Sequence, residues 1–148
     1  MRNPLALRVN VSQDGNTQEI GIVPDLMFGL GFPDGSRRCF IVEIDRGTMP
    51  IRRSDLSQSS FERKMLAYLT AYAALQHEQQ FGWKAFRVLA VTTDHHRAQS
   101  MLEALRGLRV PQSPGPALFF FALRDDLCRS GPIAHVWHDG TGRGITLI

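Results

Sequence analysis

The segment Phe32–Ser36, between two apolar runs, constrains the fold of this chain more than any other short stretch. Its Pro-Asp-Gly core predicts a three-residue hairpin loop in which Gly35 takes the left-handed conformation. That loop places Asp25 opposite Glu43 on the paired strands. A two-residue type I′ turn at the Asp-Gly pair would shift the register by one residue and turn Asp25 away from Glu43. We favour the three-residue loop because Pro33 fits it better.

Carboxylates cluster at the open end of this predicted hairpin. Glu43 and Asp45 directly follow the apolar run Cys39–Val42, and residues i and i+2 of a strand point to the same face. Together with Asp25 they would bring three carboxylates to one sheet edge, where they could hold Mg²⁺ or Mn²⁺ for phosphodiester chemistry. The alternative is that these are solvated acidic residues at strand ends, which is the commoner fate of any single one. We favour the site because the charges follow buried-type residues directly.

Length and charge limit the possible architectures and partners. A chain of 148 residues with 43% hydrophobic content predicts a single domain, residues 1–148. A net charge of +3 and a pI near 9.3 permit DNA as a partner. Seven of the 17 basic residues lie around the carboxylate segment: Arg37, Arg38, Arg46, Arg52, Arg53, Arg63 and Lys64. Arginine suits bidentate phosphate binding, although a solvated basic rim is the simpler interpretation of any one of them.

Cysteine usage and hydropathy favour a cytoplasmic protein. Cys39 and Cys128 are far apart and have no metal-ligand spacing, so both are expected to be reduced. No apolar run is long enough to span a membrane, and the N-terminus has no signal-peptide pattern.

The periodicity of the chain predicts an α/β fold with a central mixed sheet, in which antiparallel hairpins are followed by helix, strand, helix and strand. Strand patterns cover residues 5–11, 18–23, 26–32, 37–45, 86–93, 117–122 and 135–137. Helical patterns run from Phe61 to about Gln80, from His95 to about Leu108, and over a short stretch from residue 125. Residues 47–60 are expected to form a loop, and the glycine-rich segment 140–144 is expected to be flexible.

Several short motifs resemble the PD-(D/E)XK nuclease-like superfamily, and more narrowly the C-terminal domain of the replication-relaxation family of plasmids and other mobile elements. The matching segments are Pro24-Asp25, residues 42–48 with the sequence Val-Glu-Ile-Asp-Arg-Gly-Thr, Lys64 followed by Tyr68, and the strand 88–93. The similarity covers roughly residues 20–121. It implies a restriction-endonuclease-like core.

The resemblance also implies roles for individual residues. Asp25, Glu43 and Asp45 would be the catalytic metal ligands, with Lys64 assisting electrostatically. Arg46, Arg52 and Arg53 would hold the DNA backbone, and Tyr68 would orient the lysine or a phosphate.

Two departures from the family pattern bear on activity. Nuclease-like members usually carry Lys where this chain has Asp45, and Lys64 on the following helix could replace it. A winged-helix DNA-binding region usually precedes the domain, and none fits before Leu5, so a separate protein is a possible partner. These departures leave open a catalytically inactive, DNA-associated regulatory or protein-interaction module. A purely structural domain is favoured if the hairpin register separates Asp25 from Glu43.

Overall fold

The computed structural model describes residues 5–13, 15–52 and 60–148 of the chain. It contains helices and strands in the mixed order that the sequence predicts, which confirms the α/β class. The strands are β1 (Leu7–Gln13), β2 (Asn16–Ile22), β3 (Leu26–Gly31), β4 (Arg37–Ile44), β5 (Arg87–Thr92), β6 (Phe119–Leu123), β7 (Trp137–Asp139) and β8 (Gly144–Ile145). The helices are α1 (Phe61–Ala73), α2 (Gln76–Phe81), α3 (His95–Arg106) and α4 (Arg124–Ser130), and a 3-10 turn covers Gly115–Leu118.

A six-stranded mixed sheet in the order β3-β4-β5-β6-β7-β8 forms the centre of the fold. The β4/β5 and β5/β6 pairs are parallel, whereas β3/β4, β6/β7 and β7/β8 are antiparallel. The first hairpin, β1/β2, does not join this sheet and forms a separate two-stranded sheet. The mixed sheet is therefore confirmed, and the restriction-endonuclease-like core stays a prediction.

Both faces of the central sheet carry buried apolar side chains. One face packs with α1, α3 and the β1/β2 hairpin, around residues such as Ile41, Met65 and Met101. The opposite face holds a smaller cluster that includes Phe40 and Trp137. Burial on both faces explains the unbroken apolar run of β4, because a strand beside a parallel neighbour has no solvated side. Glu43 and Asp45 follow this apolar run at the end of β4 and are themselves buried, whereas Asp25 at the end of β3 is exposed.

Two predictions about local structure are wrong. The single helix from Phe61 to about Gln80 is divided into α1 and α2, because Leu75 takes the left-handed conformation with φ 58°. The segment 140–144, expected to be flexible, joins β7 to β8 in an ordered turn. In that turn Asp139 Oδ1 accepts hydrogen bonds from the backbone N–H groups of Thr141 and Arg143.

The predicted loop 47–60 is described only at its two ends. Residues 47–52 and Ser60 carry no helix or strand, and residues 53–59, Arg53 among them, lie outside the described residues. The N–H groups of Phe61 and Glu62 donate to the carbonyls of Pro50 and Ile51, which ties the loop to the start of α1. Among the described residues, no helix has the length and apolarity needed to cross a membrane.

Candidate functional site

The loop of the central hairpin has the geometry that the sequence predicts. The Phe32 N–H closes the loop by donating to the Ser36 carbonyl over 2.9 Å, and Gly35 takes the left-handed conformation with φ +87°. The β3/β4 register pairs Leu26 with Val42, so the next pair toward the open end is Asp25 and Glu43. The three-residue loop is therefore confirmed, and the type I′ alternative is excluded.

Asp25 is held at the end of β3 by the backbone of β4. Its N–H donates to the Val42 carbonyl over 3.1 Å, and its Oδ2 accepts from the Ile44 N–H over 2.8 Å. Its Oδ1 has no hydrogen-bond partner within the described part of the chain. Asp25 is an exposed residue, and it lies opposite Glu43 in the β3/β4 register.

Glu43 is buried, with 2% exposure, and both of its oxygens are bound by α1. The Tyr68 hydroxyl donates to Oε1 over 2.5 Å, and Lys64 Nζ donates to Oε2 over 3.3 Å. Lys64 and Tyr68 are four residues apart and therefore lie on the same face of the helix. Ser60 fixes where that face begins, because its hydroxyl caps α1 by accepting from the Arg63 N–H over 3.0 Å.

Burial raises the pKa of both Glu43 and Tyr68. Desolvation raises the pKa of Glu43, and the charge of Asp25 adds to that effect, whereas the hydrogen bond from Tyr68 and the charge of Lys64 oppose it. Desolvation, followed by the charge of Glu43, also raises the pKa of Tyr68 well above its ordinary value. Tyr68 is therefore a protonated donor at neutral pH. A cation beside Glu43 would relieve the cost of its buried negative charge.

Asp45 shares the α1/α3 side of the sheet with Glu43 but binds a different helix. Arg97 of α3 donates to both carboxylate oxygens through Nε and Nη2, and the Nη2–Oδ1 distance is 2.8 Å. The Thr92 hydroxyl donates to Oδ2 over 2.7 Å, and the Gly47 N–H donates to Oδ1 over 3.2 Å. Arg97 also donates to the Met49 carbonyl. Asp45 thus connects the end of β4 and the following loop to α3.

The electrostatics of Asp45 are those of a paired carboxylate. Burial alone would raise its pKa, but the hydrogen bonds from Arg97 and Thr92 outweigh this effect and place the pKa below its ordinary value. Sequence reasoning missed Arg97. The sequence did contain a signal for it. Arg97 lies in the first turn of α3, which follows β5, and because β5 runs parallel to β4 the helix begins at the sheet edge where β4 ends.

A divalent cation such as Mg²⁺ is bound through oxygen ligands, which the carboxylates at this end of the sheet could supply. The described segments contain no group of three or more His, Cys, Asp or Glu residues placed to hold a metal ion. Asp25 and Glu43 do face each other across the hairpin, and Mg²⁺ is commonly bound by one or two carboxylates with water filling the other positions. These two residues fit such a site. Asp45 has its charge matched by Arg97, and its role as a ligand stays a prediction.

The predicted DNA-contacting residues differ in their surroundings. Arg46 is exposed next to the carboxylates. Arg52 is also exposed, and its Nε lies 3.4 Å from Glu62 Oε2. Arg53 is among the residues that the structure does not describe. Tyr68 is only 1% exposed and its hydroxyl is bound to Glu43, so contact with a phosphate stays a prediction.

Comparisons with models of protein families, with curated proteins and with solved structures find no match for this chain. The functional argument therefore depends on the arrangement of the residues themselves.

Proposed function

We propose that this protein is a replication-relaxation-like, nuclease-like domain of a plasmid or mobile element that acts on DNA phosphodiesters with Mg²⁺ or Mn²⁺. The observation that supports it most is the group formed by Asp25, Glu43 and Lys64. A hairpin end and a helix bring together two carboxylates and an ammonium group, although 39 positions of sequence separate the first from the last.

Asp25 and Glu43 are the proposed metal ligands. The bound ion would lower the pKa of a water molecule and stabilise negative charge on the phosphate. Tyr68 holds Glu43 in one orientation by donating to Oε1, which leaves the carboxylate positioned before substrate arrives. Lys64 is 34% exposed at its side chain, so its ammonium group can serve Glu43 and an incoming phosphate.

Lys64 is proposed to replace the lysine that the nuclease-like pattern places two residues after the strand carboxylate. Asp45 occupies that position here, and its pairing with Arg97 gives it another task, which is to hold the loop that follows β4. That loop carries Arg46 and leads to Arg52 and Arg53, which are proposed to bind the DNA backbone. A separate DNA-binding or replication protein is a proposed partner.

A second candidate is a catalytically inactive DNA-associated regulatory or protein-interaction module on the same scaffold. The specific observation that favours it is the engagement of both Glu43 oxygens by Tyr68 and Lys64. With Asp45 also paired, Asp25 is the one carboxylate of the three that presents an unbonded oxygen within the described residues.

The deciding experiment measures cleavage of supercoiled and single-stranded DNA in Mg²⁺ and in Mn²⁺. Wild type is compared with Glu43→Ala and Lys64→Ala, each purified identically and checked for folding by circular dichroism. Arg8→Ala is the control, since it removes an exposed positive charge from the β1/β2 hairpin. We expect cleavage by wild type and Arg8→Ala, and its loss in both site variants.

Metal binding, measured by titration calorimetry without DNA, tests the assigned ligands, and DNA cleavage separates the two candidates. The nuclease proposal expects binding by wild type that is lost in Asp25→Asn and Glu43→Gln. A folded wild type that binds DNA but cleaves none under either metal would instead support the inactive module. Equal cleavage by wild type and Glu43→Ala would refute the assignment of the site.

A further inference from the structure

A pocket of about 650 Å³ opens at the other end of the central sheet, beside the hairpin loop and the start of β5. Its walls come from the beginnings of β4, β5 and β6, the α2–β5 connection and the β8 segment. Arg38 and Glu43 are five positions apart on β4, so the two sites are about 16 Å apart along the strand. The pocket is therefore separate from the Asp25–Glu43 site.

Four residues with cationic side chains line this pocket, and within the described part of the chain no Asp or Glu does: they are Arg37, Arg38, Lys84 and Arg87. None of the four forms an ion pair within the described residues. The acidic side chain of the hairpin loop, Asp34, accepts hydrogen bonds from the N–H and the hydroxyl of Ser36.

Two of these cations are fixed by neutral partners. Arg38 Nη1 donates to the Leu147 carbonyl over 3.0 Å, and its guanidinium lies 5.2 Å from the centre of the Phe32 ring. Arg87 Nη1 donates to the Phe86 carbonyl over 2.9 Å. These contacts orient the guanidinium groups without neutralising them. Concentrated positive charge in a concave site favours an anion, and arginine matches the geometry of phosphate oxygens.

Aromatic side chains supply the remaining part of the pocket wall. Trp83 is half-buried, with its ring centre 5.1 Å from that of Phe81, and it lines the pocket together with the buried Phe40, Phe86 and Phe120. A volume of about 650 Å³ is in the range of small-molecule sites. An indole face beside several cations suits a ligand that joins a planar ring to a phosphate, because bases stack on aromatic rings.

We propose that this pocket binds a nucleoside phosphate, with the phosphate on the arginine and lysine side chains and the base against Trp83. The ligand is a free nucleotide or the phosphorylated end of a DNA strand, which share this chemistry. The inference does not rest on the nuclease proposal, because it uses none of the residues at the Asp25–Glu43 site.

Tryptophan fluorescence provides a direct assay. The chain has two tryptophans, and Trp137 is 1% exposed, so quenching by a ligand reports mainly on Trp83. AMP, a 5′-phosphorylated single-stranded oligonucleotide and inorganic phosphate are titrated separately. Saturable quenching by AMP supports the free nucleotide, and saturation by the oligonucleotide alone supports the strand end.

The pocket variant is the double substitution Arg37→Ala/Lys84→Ala, which removes two positive charges from the pocket. The control is Arg8→Ala/Arg124→Ala, which removes two positive charges from exposed positions elsewhere. We expect the Kd to rise at least tenfold in the pocket variant and to stay within twofold in the control. Unchanged binding in the pocket variant, an equal loss in both variants, or no saturable binding by wild type would overturn the proposal. Binding of inorganic phosphate with the same Kd as AMP would refute the role of the base.

Binding by Lys64→Ala distinguishes this proposal from the nuclease proposal. That variant is expected to bind AMP or the oligonucleotide as wild type does at this pocket, whether or not DNA cleavage is lost. A loss of quenching in Lys64→Ala comparable to that in the pocket variant would contradict two separate sites.

Discussion

Replacing Arg97 with Met should cost this protein about 3 kcal/mol of folding free energy. The side chains of Asp45 and Arg97 are 3% and 16% exposed, and the guanidinium donates to both carboxylate oxygens. Removing one partner of a buried pair costs roughly 3–5 kcal/mol because the other charge stays buried and unpaired. We take the lower end because the exposed part of Arg97 admits water.

This free energy corresponds to a large change in melting temperature. An unfolding entropy of roughly 2.1 cal/mol/K per residue gives about 310 cal/mol/K for 148 residues. A loss of about 3 kcal/mol then lowers Tm by about 10 °C. Equilibrium unfolding in urea, followed by circular dichroism, measures the free energy, and calorimetry measures Tm.

The exposed pair of Arg129 and Asp126 provides the matched control. Their side chains are 73% and 45% exposed, so Arg129→Met should cost less than about 1 kcal/mol. A double-mutant cycle with Asp45→Asn and Arg97→Met should give a coupling of about 2 kcal/mol or more. Equal costs for the two Arg→Met variants, or additivity within about 0.5 kcal/mol, would refute the argument.

The same pair has a defined pH dependence. The folded-state pKa of Asp45 lies below its ordinary value of 3.8, so its stabilisation is complete above that pH and is lost as the pH falls through the folded-state pKa. Without Arg97, burial raises the pKa of Asp45, so the cost of Arg97→Met should shrink as the pH falls from the pKa of Asp45 in the variant to its lower pKa in the wild type. A cost that stays constant as the solution is acidified would contradict the assigned charge state.

Three further substitutions test other parts of the fold, each by the same unfolding assay. Gly140→Ala should cost at least about 2 kcal/mol of folding free energy because the added Cβ would overlap the Pro116 carbonyl. Gly21→Ala is the control and should cost less than about 1 kcal/mol, because the space around Gly21 is open. Equal costs for the two variants would contradict the close packing of Gly140 against Pro116. His77 is 2% exposed, and burial lowers its pKa from 6.5 although a backbone hydrogen bond with Lys84 and the charge of Glu78 oppose that shift. The stability that neutral His77 contributes above pH 6.5 therefore falls as the pH drops below that value. His77→Phe should gain stability relative to wild type as the pH falls below 6.5, and a difference independent of pH would refute this. Gly35→Ala should cost about 1 kcal/mol because φ is +87° there, and no measurable loss would show that the loop does not depend on that conformation.

Local sequence was sufficient to predict the central hairpin. Pro33 and Gly35 specify the conformation of three consecutive residues, and the register of a hairpin follows from its loop. Asp25 and Glu43 were predicted to be partners for this reason alone. The helix caps at Ser60 and Asp94 are local in the same sense, because each side chain accepts from an N–H only three residues away.

The break between α1 and α2 depends on contacts from elsewhere in the chain. The sequence around Leu75 consists of good helix formers, which predict continuation. Instead, Gln76 Nε2 donates to the Arg8 carbonyl over 3.1 Å and Gln80 Nε2 donates to the Ala6 carbonyl over 2.8 Å. These bonds to β1 and the preceding residue accompany the change in direction, and no local pattern encodes them.

The sequence by itself determined the α/β class, the hairpin register and the facing positions of Asp25 and Glu43, because these depend on local conformational preferences and strand periodicity. Only the tertiary structure decided the partners of each carboxylate. Glu43 meets residues 21 and 25 positions further along the chain, and Asp45 meets one 52 positions away. Such pairings depend on how α1 and α3 pack against the sheet, and their strength depends on the burial that this packing creates.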